Sequence, residues 1–394
     1  MKILMTSESF LPQMGGGEMH VWYLCDRLTK AGHNLTLVTN EPDGPLPSGT
    51  KPISYKVTRI LWGKRTFFYL WKILWKLAGE SDVLHAHFSY RLAALLGIIG
   101  VLRRKSVVVT LHGRGTLDEP GARFPYKQVH ALYRFLSLNL ANTIIATSED
   151  MAVVARPHFY NHKKMLNIFN GVDISIFHPD IPISRSLRER YKGKKLVVTV
   201  RRLVPKTGIH YLVEAMPELI KLVPNVFFVM VGTGRMEVYI RSRIEELRLG
   251  DYIEMVGELD NDKVPQYMQI ADVVAFPSTA ESTSIACAEA MALGKAVVAS
   301  RVGGLVELVG REEERGRLVT LVPWESSNYD APIRLSPDRY TILAQAIAES
   351  LANGDSERKK NALHYAQTEL DWTIIAAKTV VVYEHAINHG RREY

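Results

Sequence analysis

Two glutamates eight positions apart, Glu281 and Glu289, are the residues of this 394-residue chain best placed by type and spacing to do chemistry. They stand in Phe276-Pro277-Ser278-Thr279-Ala280-Glu281-Ser282-Thr283-Ser284-Ile285-Ala286-Cys287-Ala288-Glu289, where an apolar run gives way to small residues and then to a helical pattern. If the whole stretch were helical, the two carboxylates would differ by ~80° around the axis. The pattern instead predicts Glu281 on a loop and Glu289 one or two turns into a helix that begins near Ser284. The pair would then touch one ligand at different points. That is unlike two carboxylates bracketing a glycosidic bond for hydrolysis. Glu289 has Ile285, Ala286, Ala288 and Met291 around it in sequence, an unfavourable setting for a charge with no task. A helix-surface glutamate or a structural ion pair is the alternative reading.

Three further constellations could handle an anion. In Arg201-Arg202-Leu203-Val204-Pro205-Lys206-Thr207-Gly208, cations follow a strand pattern and precede a helical one. Arginine grips a diphosphate with a planar fork and lysine as a point charge, although solvated surface charge would look the same. In Pro12-Gln13-Met14-Gly15-Gly16-Gly17-Glu18, glycines at a strand-to-helix turn would let backbone N–H groups approach a phosphate. This is not the G-x-G-x-x-G dinucleotide fingerprint, and a tight turn alone would also require glycine. His85, His87 and His112 end or follow strand patterns. Their spacing lacks the H-x-x-x-H or H-E-x-x-H logic of a metal site, so no metal is expected. His85 reads as a hydrogen-bonded core histidine. His112, beside Gly113, is open to a ligand role.

The elements that must position these residues alternate along the chain. Ile3–Thr6, Leu35–Thr39, Val83–Ala86, Ser106–Leu111 and Thr143–Ala146 read as strands, with helices over Glu18–Ala31 and Tyr126–Leu140. His178-Pro179-Asp180 and Ile181-Pro182 disfavour helix, and Arg185–Lys195 is dense in charge, so a boundary is expected near 178–194. The rhythm then restarts. Leu196–Val200, Val226–Val231, Ile253–Val256, Val273–Phe276 and Ala296–Ala299 read as strands, separated by helical patterns over Gly208–Leu222, Met236–Leu247, Lys263–Ile270 and Ser284–Leu293. The alternation predicts an α/β chain of two Rossmann-like domains with parallel sheets, 1–180 and 190–370, plus a helical tail from about 373 to 394.

Bulk properties narrow the classes. An apolar share of 47% and a charged share of 23% are those of a globular chain with material for two cores. Cys25 and Cys287 lie far apart in apolar helical patterns and read as buried free thiols, which fits a reducing compartment. The short apolar start at Met1–Thr6 and the absence of a spanning-length run predict a cytoplasmic protein. The net charge of +8 suits a phosphorylated ligand or an anionic membrane. No zinc-finger or RNA-binding signature occurs, so nucleic acid is not expected as a partner.

Together these segments resemble the family-4 retaining glycosyltransferases of GT-B fold, and the likeness covers nearly the whole chain. It is carried by Glu281-x7-Glu289 with Ala290-Met291-Ala292-x-Gly294, and by Val302-Gly303-Gly304-Leu305-Val306-Glu307. Also similar are Gly15-Gly16-x-Glu18-x-His20-Val21, His85-Ala86-His87, Asn170-Gly171-Val172-Asp173 and Gly232-Thr233-Gly234. The resemblance implies two domains whose sheets face a central cleft, with the tail helix returning to the first domain. It implies transfer of a hexosyl unit from a nucleotide-diphosphate sugar to a hydroxyl acceptor, a glycan or lipid-linked molecule. The anomeric configuration would be retained, with no cofactor and no essential metal. Gly15 and Gly16 would face the donor diphosphate, Arg202 and Lys206 would clamp it, and His112 would lie beside the sugar. Glu281 would contact the sugar hydroxyls and Glu289 the ribose, with Ser282, Thr283, Ser284 and Ile285 lining the donor. Two positions depart from the family: Ser282 and Ser284 stand where many members have glycine, and Thr207 replaces the common lysine, with Lys206 one place earlier.

Residues 56–77 interleave basic and aromatic side chains across an expected helix, which fits contact with an anionic membrane or an amphipathic helix packed on a sheet. Rival classes are a nucleotide-sugar epimerase, a non-catalytic nucleotide-sugar binder and a nicotinamide oxidoreductase. The missing G-x-G-x-x-G disfavours the last. Oligomeric state is left open.

Overall fold

Apolar runs flanked by glycine and polar residues become parallel strands in a computed structural model. It describes residues 1–12, 15–41, 53–61, 66–88, 91–113, 117, 126–260, 262–321 and 334–390. Gln13 and Met14 of the glycine loop, residues 62–65 of the basic–aromatic stretch and 391–394 of the tail lie outside the described residues. The chain divides into two compact units, Met1–Asn170 with Trp372–Tyr394, and Gly171–Asp371.

In the first unit the strands are β1 Lys2–Ser7, β2 Asn34–Asn40, β3 Lys56–Ile60, β4 Val83–His87, β5 Ser106–Leu111, β6 Thr143–Ala146 and β7 Met165–Asn167. They form one parallel sheet in the order β3-β2-β1-β4-β5-β6-β7. The connecting helices are α1 Gly16–Lys30, α2 Phe67–Glu80, α3 Arg91–Arg103, α4 Tyr126–Leu140 and α5 Glu149–Ala155. Successive strand residues point to opposite faces. Leu4, Val107 and Val109 accordingly pack with Leu70, Leu74, Leu92 and Leu96, while Ile3, Met5 and Val108 pack with Val21, Leu24 and Leu28. Both faces are covered, which is why the central strands read as continuous apolar runs.

The second unit repeats this plan. Its strands are β8 Lys195–Val200, β9 Val226–Val231, β10 Ile253–Gly257, β11 Val273–Phe276, β12 Ala296–Ser300 and β13 Arg317–Val319, in the parallel order β10-β9-β8-β11-β12-β13. Its helices are α6 Arg185–Arg190, α7 Ile209–Leu222, α8 Glu237–Glu246, α9 Val264–Gln269, α10 Ile285–Ala292, α11 Gly303–Val309, α12 Pro337–Asn353 and α13 Ser356–Glu369. The last helix, α14 Trp372–Gly390, belongs to the first unit. Trp372, Ile375, Ala376, Tyr383 and Ala386 join the core that holds Ile3, Met5 and Val108. Trp372 stacks on Tyr23 at 5.2 Å between ring centroids.

The compact units divide ahead of the expected boundary, and two further expectations are corrected. The chain leaves the first unit at Asn170, ahead of the 178–194 stretch. Val172 N–H already bonds Leu370 O at 2.7 Å, and Gln269 Nε2 bonds Pro179 O at 2.5 Å, so the proline segment is tied down inside the second unit. Within it, Ser184 caps α6 by accepting from Leu187 N–H at 3.3 Å. The expected helix across 56–77 is instead strand β3 followed, beyond residues 62–65, by α2. Strands β3, β7 and β13 were not expected from the pattern. All three lie at sheet edges, where a strand is short or mixed in polarity because one flank has no neighbour.

The strand order places each unit's switch point. In the first sheet it falls between β1 and β4, and in the second between β8 and β11. Connections leave in opposite directions there and open a crevice at the carboxyl ends of the strands, the usual ligand position in such sheets.

Candidate functional site

At the switch point of the second unit, four loops leave adjacent strand ends and lock to one another through backbone. Gly208 (φ +66°) follows a single 3-10 turn, Pro205–Thr207, and a Cβ there would lie 1.8 Å from Pro277 O. Only glycine permits that approach. Thr279 N–H bonds Lys206 O at 2.8 Å, joining the loop after β11 to the turn after β8. Gly232 (φ +125°) lies against the carbonyl of Arg201, and Leu203 N–H bonds Thr233 O at 2.8 Å. Gly304 N–H bonds Glu281 O at 3.0 Å, and its missing side chain makes room for Ser282 O. The backbone around Glu281 is thus held from three sides.

Glu281 lies on the loop and Glu289 on α10. Ser284 ends the loop by capping that helix, accepting from Cys287 N–H at 3.3 Å. Ser282, Glu281, Ile285 and Glu289 are half-buried; Thr283 and Ser284 are buried. Cys287 is fully buried, and desolvation pushes its thiol up to about 12, so it is inert rather than nucleophilic. The cations divide. Arg202 and Lys206 are exposed at the turn. Arg201 is drawn inward: its guanidinium bonds Ser278 Oγ at 2.7 Å and forms an ion pair with Glu281. Residue type placed Arg201 only among the cations able to grip a diphosphate, and nothing in spacing predicts its pairing with Ser278 and Glu281.

In the first unit, Gly15 caps α1 through its backbone and Gly16 is the first helical residue. Glu18 folds back to accept from Ser9 Oγ at 2.5 Å, so a carboxylate already stands at this helix start. Beside it the structure gathers four histidines. His85 is a core residue with both nitrogens bonded, Nδ1 to Tyr383 Oη at 2.6 Å and Nε2 to Thr110 Oγ1 at 2.8 Å. His87 Nδ1 meets His112 Nε2 at 2.9 Å, and His20 Nδ1 meets Asn170 Oδ1 at 2.7 Å. Gly17 leaves the space that the Phe88 ring fills, and that ring lies 4.8 Å from His112. Phe88 itself has φ +68°, a costly conformation at the mouth of β4.

Burial holds these imidazoles neutral. Desolvation lowers His20 to about 4, against the bond that its ring N–H donates to Asn170. Desolvation and then the neighbouring His20 lower His85 to about 3. His87 and His112 fall well below the ordinary range, by burial first and by the other histidines second. Between two neutral rings the His87–His112 contact uses one N–H, which leaves the other proton on His87 Nε2 or His112 Nδ1. Neither atom has a partner among the described residues, so one N–H donor waits at the strand ends. His20, His87 and His112 also bring ring nitrogens within 4.8 Å of one another, a grouping able to take a metal ion. The hydrogen-bonded spacing of His87 and His112 is tighter than the ~3.3 Å between nitrogens on a tetrahedral ion with bonds of about 2.0 Å. At that spacing the pair is arranged to share a proton.

Comparisons with known proteins bear on the family and the fold. The pattern described as Glycosyltransferase Family 4 matches residues 14–176, and that described as Glycosyl transferases group 1 matches residues 180–327. A phosphatidylinositol N-acetylglucosaminyltransferase polypeptide of Arabidopsis thaliana is 26% identical, covering 100% of this chain and 83% of that protein. The phosphatidyl-myo-inositol mannosyltransferase of Mycobacterium tuberculosis is 27% identical over 96% of this chain and 95% of its own length. Among solved structures, Anabaena HepE in complex with UDP superposes with a TM-score of 0.77 at 21% identity, covering 98% of this chain and 100% of that one. Sucrose-phosphate synthase from Thermosynechococcus elongatus gives 0.71 at 23% identity, covering 98% and 99%. Those two likenesses establish the GT-B fold. With both family patterns falling on the two Rossmann-like units in order, the chain belongs to the family-4, group 1 glycosyltransferases.

Proposed function

We propose that this glycosyltransferase moves a hexosyl unit from a nucleotide-diphosphate sugar to a hydroxyl acceptor, with retained anomeric configuration and without an essential metal. The observation that carries the donor assignment is the loop cluster at the β8–β11 switch point. It ties the turn that bears two exposed cations, Arg202 and Lys206, to the loop that bears Glu281 and leads into the helix that bears Glu289. Cleavage of a sugar–phosphate bond builds negative charge on the departing diphosphate and positive charge on the sugar. Fixed cations lower the barrier at the first, and a carboxylate near the ring favours the second. Arg202 and Lys206 hold the diphosphate, Glu281 accepts from sugar hydroxyls, Glu289 accepts from the ribose, and the loop 282–285 lines the donor. In the first unit, Gly15 and Gly16 lie at a helix start and His112 offers a neutral ring. HepE has been crystallised with UDP-glucose as well as UDP, which supports a nucleotide-sugar donor here.

The acceptor reading is lipid-linked. Both inositol-lipid enzymes named above match this chain nearly end to end. Helix α2 leaves Phe67, Phe68 and Tyr69 exposed, with Lys72 and Lys76 exposed on the same helix, while Leu70, Leu74 and Ala78 enter the core. Aromatics beside cations suit the interface of an anionic membrane. No helix of the described residues is long and apolar enough to cross one.

Thermal unfolding with UDP, GDP and ADP, and with their glucose and mannose conjugates, tests the donor site. One nucleotide series is expected to raise the Tm, by linkage of binding to folding. Arg202→Ala is expected to remove most of that shift. No shift with any nucleotide, or an undiminished shift in Arg202→Ala, would contradict the assignment.

A further inference from the structure

We propose that Arg201 is a positioning residue that presents one chosen oxygen of Glu281 to a hydroxyl of the transferred sugar; the proposal rests on the donor-site reading above. Arg201 is the first residue past β8 and Ser278 lies just past β11. These strands are hydrogen-bonded neighbours, with Val197 paired to Val273 and Val198 to Val274. The guanidinium crosses from one strand end to the next. One nitrogen donates to Ser278 Oγ at 2.7 Å, and the other pairs with Glu281 Oε2. The Ser278 hydroxyl also reaches Oε2, at 3.5 Å. Both tethers act on the same oxygen and leave Glu281 Oε1 as the acceptor for a ligand.

The surroundings fix this arrangement. Arg201 N–H bonds Val231 O at 3.0 Å, and Gly232 presses on its carbonyl. The guanidinium carbon sits 5.8 Å from the Phe276 ring centroid. The side chains of Arg201 and Glu281 are only 11% and 16% exposed. At that depth a carboxylate without a cation would be poorly solvated and free to turn. A charge-assisted fork holds it in one orientation. Arg201 is therefore assigned to Glu281 rather than to the diphosphate, because two of its nitrogens already face Ser278 and Glu281 while Arg202 and Lys206 are exposed. The loop that carries Glu281 also has Ser282 and Ser284 where many family members have glycine, so side-chain tethers here supplement backbone for placing the carboxylate.

The test uses the full chain and whichever of UDP-glucose, UDP-N-acetylglucosamine and GDP-mannose the wild type turns over. It reads release of nucleoside diphosphate together with competitive inhibition by UDP or GDP. Arg201→Met is expected to lower kcat by about 30-fold, the loss of one charged hydrogen-bonded positioning contact. The inhibition constant for the nucleoside diphosphate should stay within about threefold, because phosphate contacts are untouched. Arg201→Lys keeps the charge but not the fork, and should recover only part of kcat. If Arg201→Met does not fold, Arg201→Lys decides by the same two readouts. Wild-type kcat in either variant overturns the proposal. So does a loss of nucleoside-diphosphate affinity as large as the loss of kcat, which would make Arg201 a phosphate ligand. Activity retained in Glu281→Ala defeats the donor-site reading itself. Activity lost in Glu281→Ala but kept in the Arg201 variants defeats only this inference.

Discussion

Glu281→Ala is expected to slow sugar transfer by about 100-fold or more, the scale seen when a preorganised electrostatic group is removed from a reacting centre. The residue is the carboxylate of the β8–β11 crevice that sits on a loop rather than a helix, with Oε2 occupied by Arg201 and Oε1 left over. Alanine would remove the acceptor for the sugar and leave the Arg201 guanidinium in a half-dry setting without its counter-charge. Part of the effect should therefore appear as a lower Tm. Glu281→Gln separates the two contributions. It keeps the shape and one acceptor oxygen, so it should fold better than alanine while still failing to balance charge on the sugar. Initial rates of nucleoside diphosphate release, with the unfolding midpoint of each variant, decide the matter. Rates within twofold of wild type in a folded Glu281→Ala protein would contradict the role given to this residue.

Acid is expected to unfold the first unit early. His20, His85, His87 and His112 are all depressed in the folded chain, His20 to about 4 and His85 to about 3, by burial. The unfolded chain binds protons at these sites near the ordinary histidine value. Between about pH 6.5 and 4 the unfolded state therefore holds more protons, and stability falls as pH falls. Each group adds a slope of up to about 1.4 kcal/mol per pH unit in that window and none above it. Glu8 works in the opposite sense, since burial raises its carboxyl, but it is one group against four. Asp355 of the second unit is held low by Ser350, Arg317 and Arg358 against its own desolvation, so its contribution is lost only below the usual carboxylate range. Urea unfolding at pH 7, 6 and 5, followed by tryptophan fluorescence, should show a steep loss that His20→Asn makes shallower. A flat profile from pH 7 to 5 would show that these rings are not buried neutral.

How much of this was readable in residues alone follows from burial. Val226–Val231 and Ser106–Leu111 announce themselves because both faces of those strands are covered. Lys56–Ile60 and Arg317–Val319 do not, because edge strands carry charge. The split of Glu281 and Glu289 between loop and helix was legible through Ser284, a residue type that caps helices. Arg201 and Arg202 could not be told apart by composition. Two adjacent cations at a strand end point opposite ways, and only the fold decides that the first turns inward to Glu281. The histidine cluster was legible only in part. His85, His87 and His112 each marked a strand end, but His20 comes from α1 and its partner Asn170 lies 150 positions away. Neither spacing nor periodicity connects residues so far apart, whereas the parallel order β1-β4-β5 brings the strand ends before His20, His87 and His112 side by side.

Transfer from a nucleotide sugar at the β8–β11 crevice underlies every role proposed above. It is tested most directly by incubating the protein with UDP-glucose, UDP-N-acetylglucosamine or GDP-mannose and vesicles containing phosphatidylinositol. The measurements are nucleoside diphosphate release and the anomeric configuration of the glycolipid formed. Release is expected with one donor, with a product of the same anomeric configuration as that donor and loss of both in Glu281→Ala. A product of inverted configuration would contradict the retaining mechanism, and equal turnover in Glu281→Ala would contradict the site.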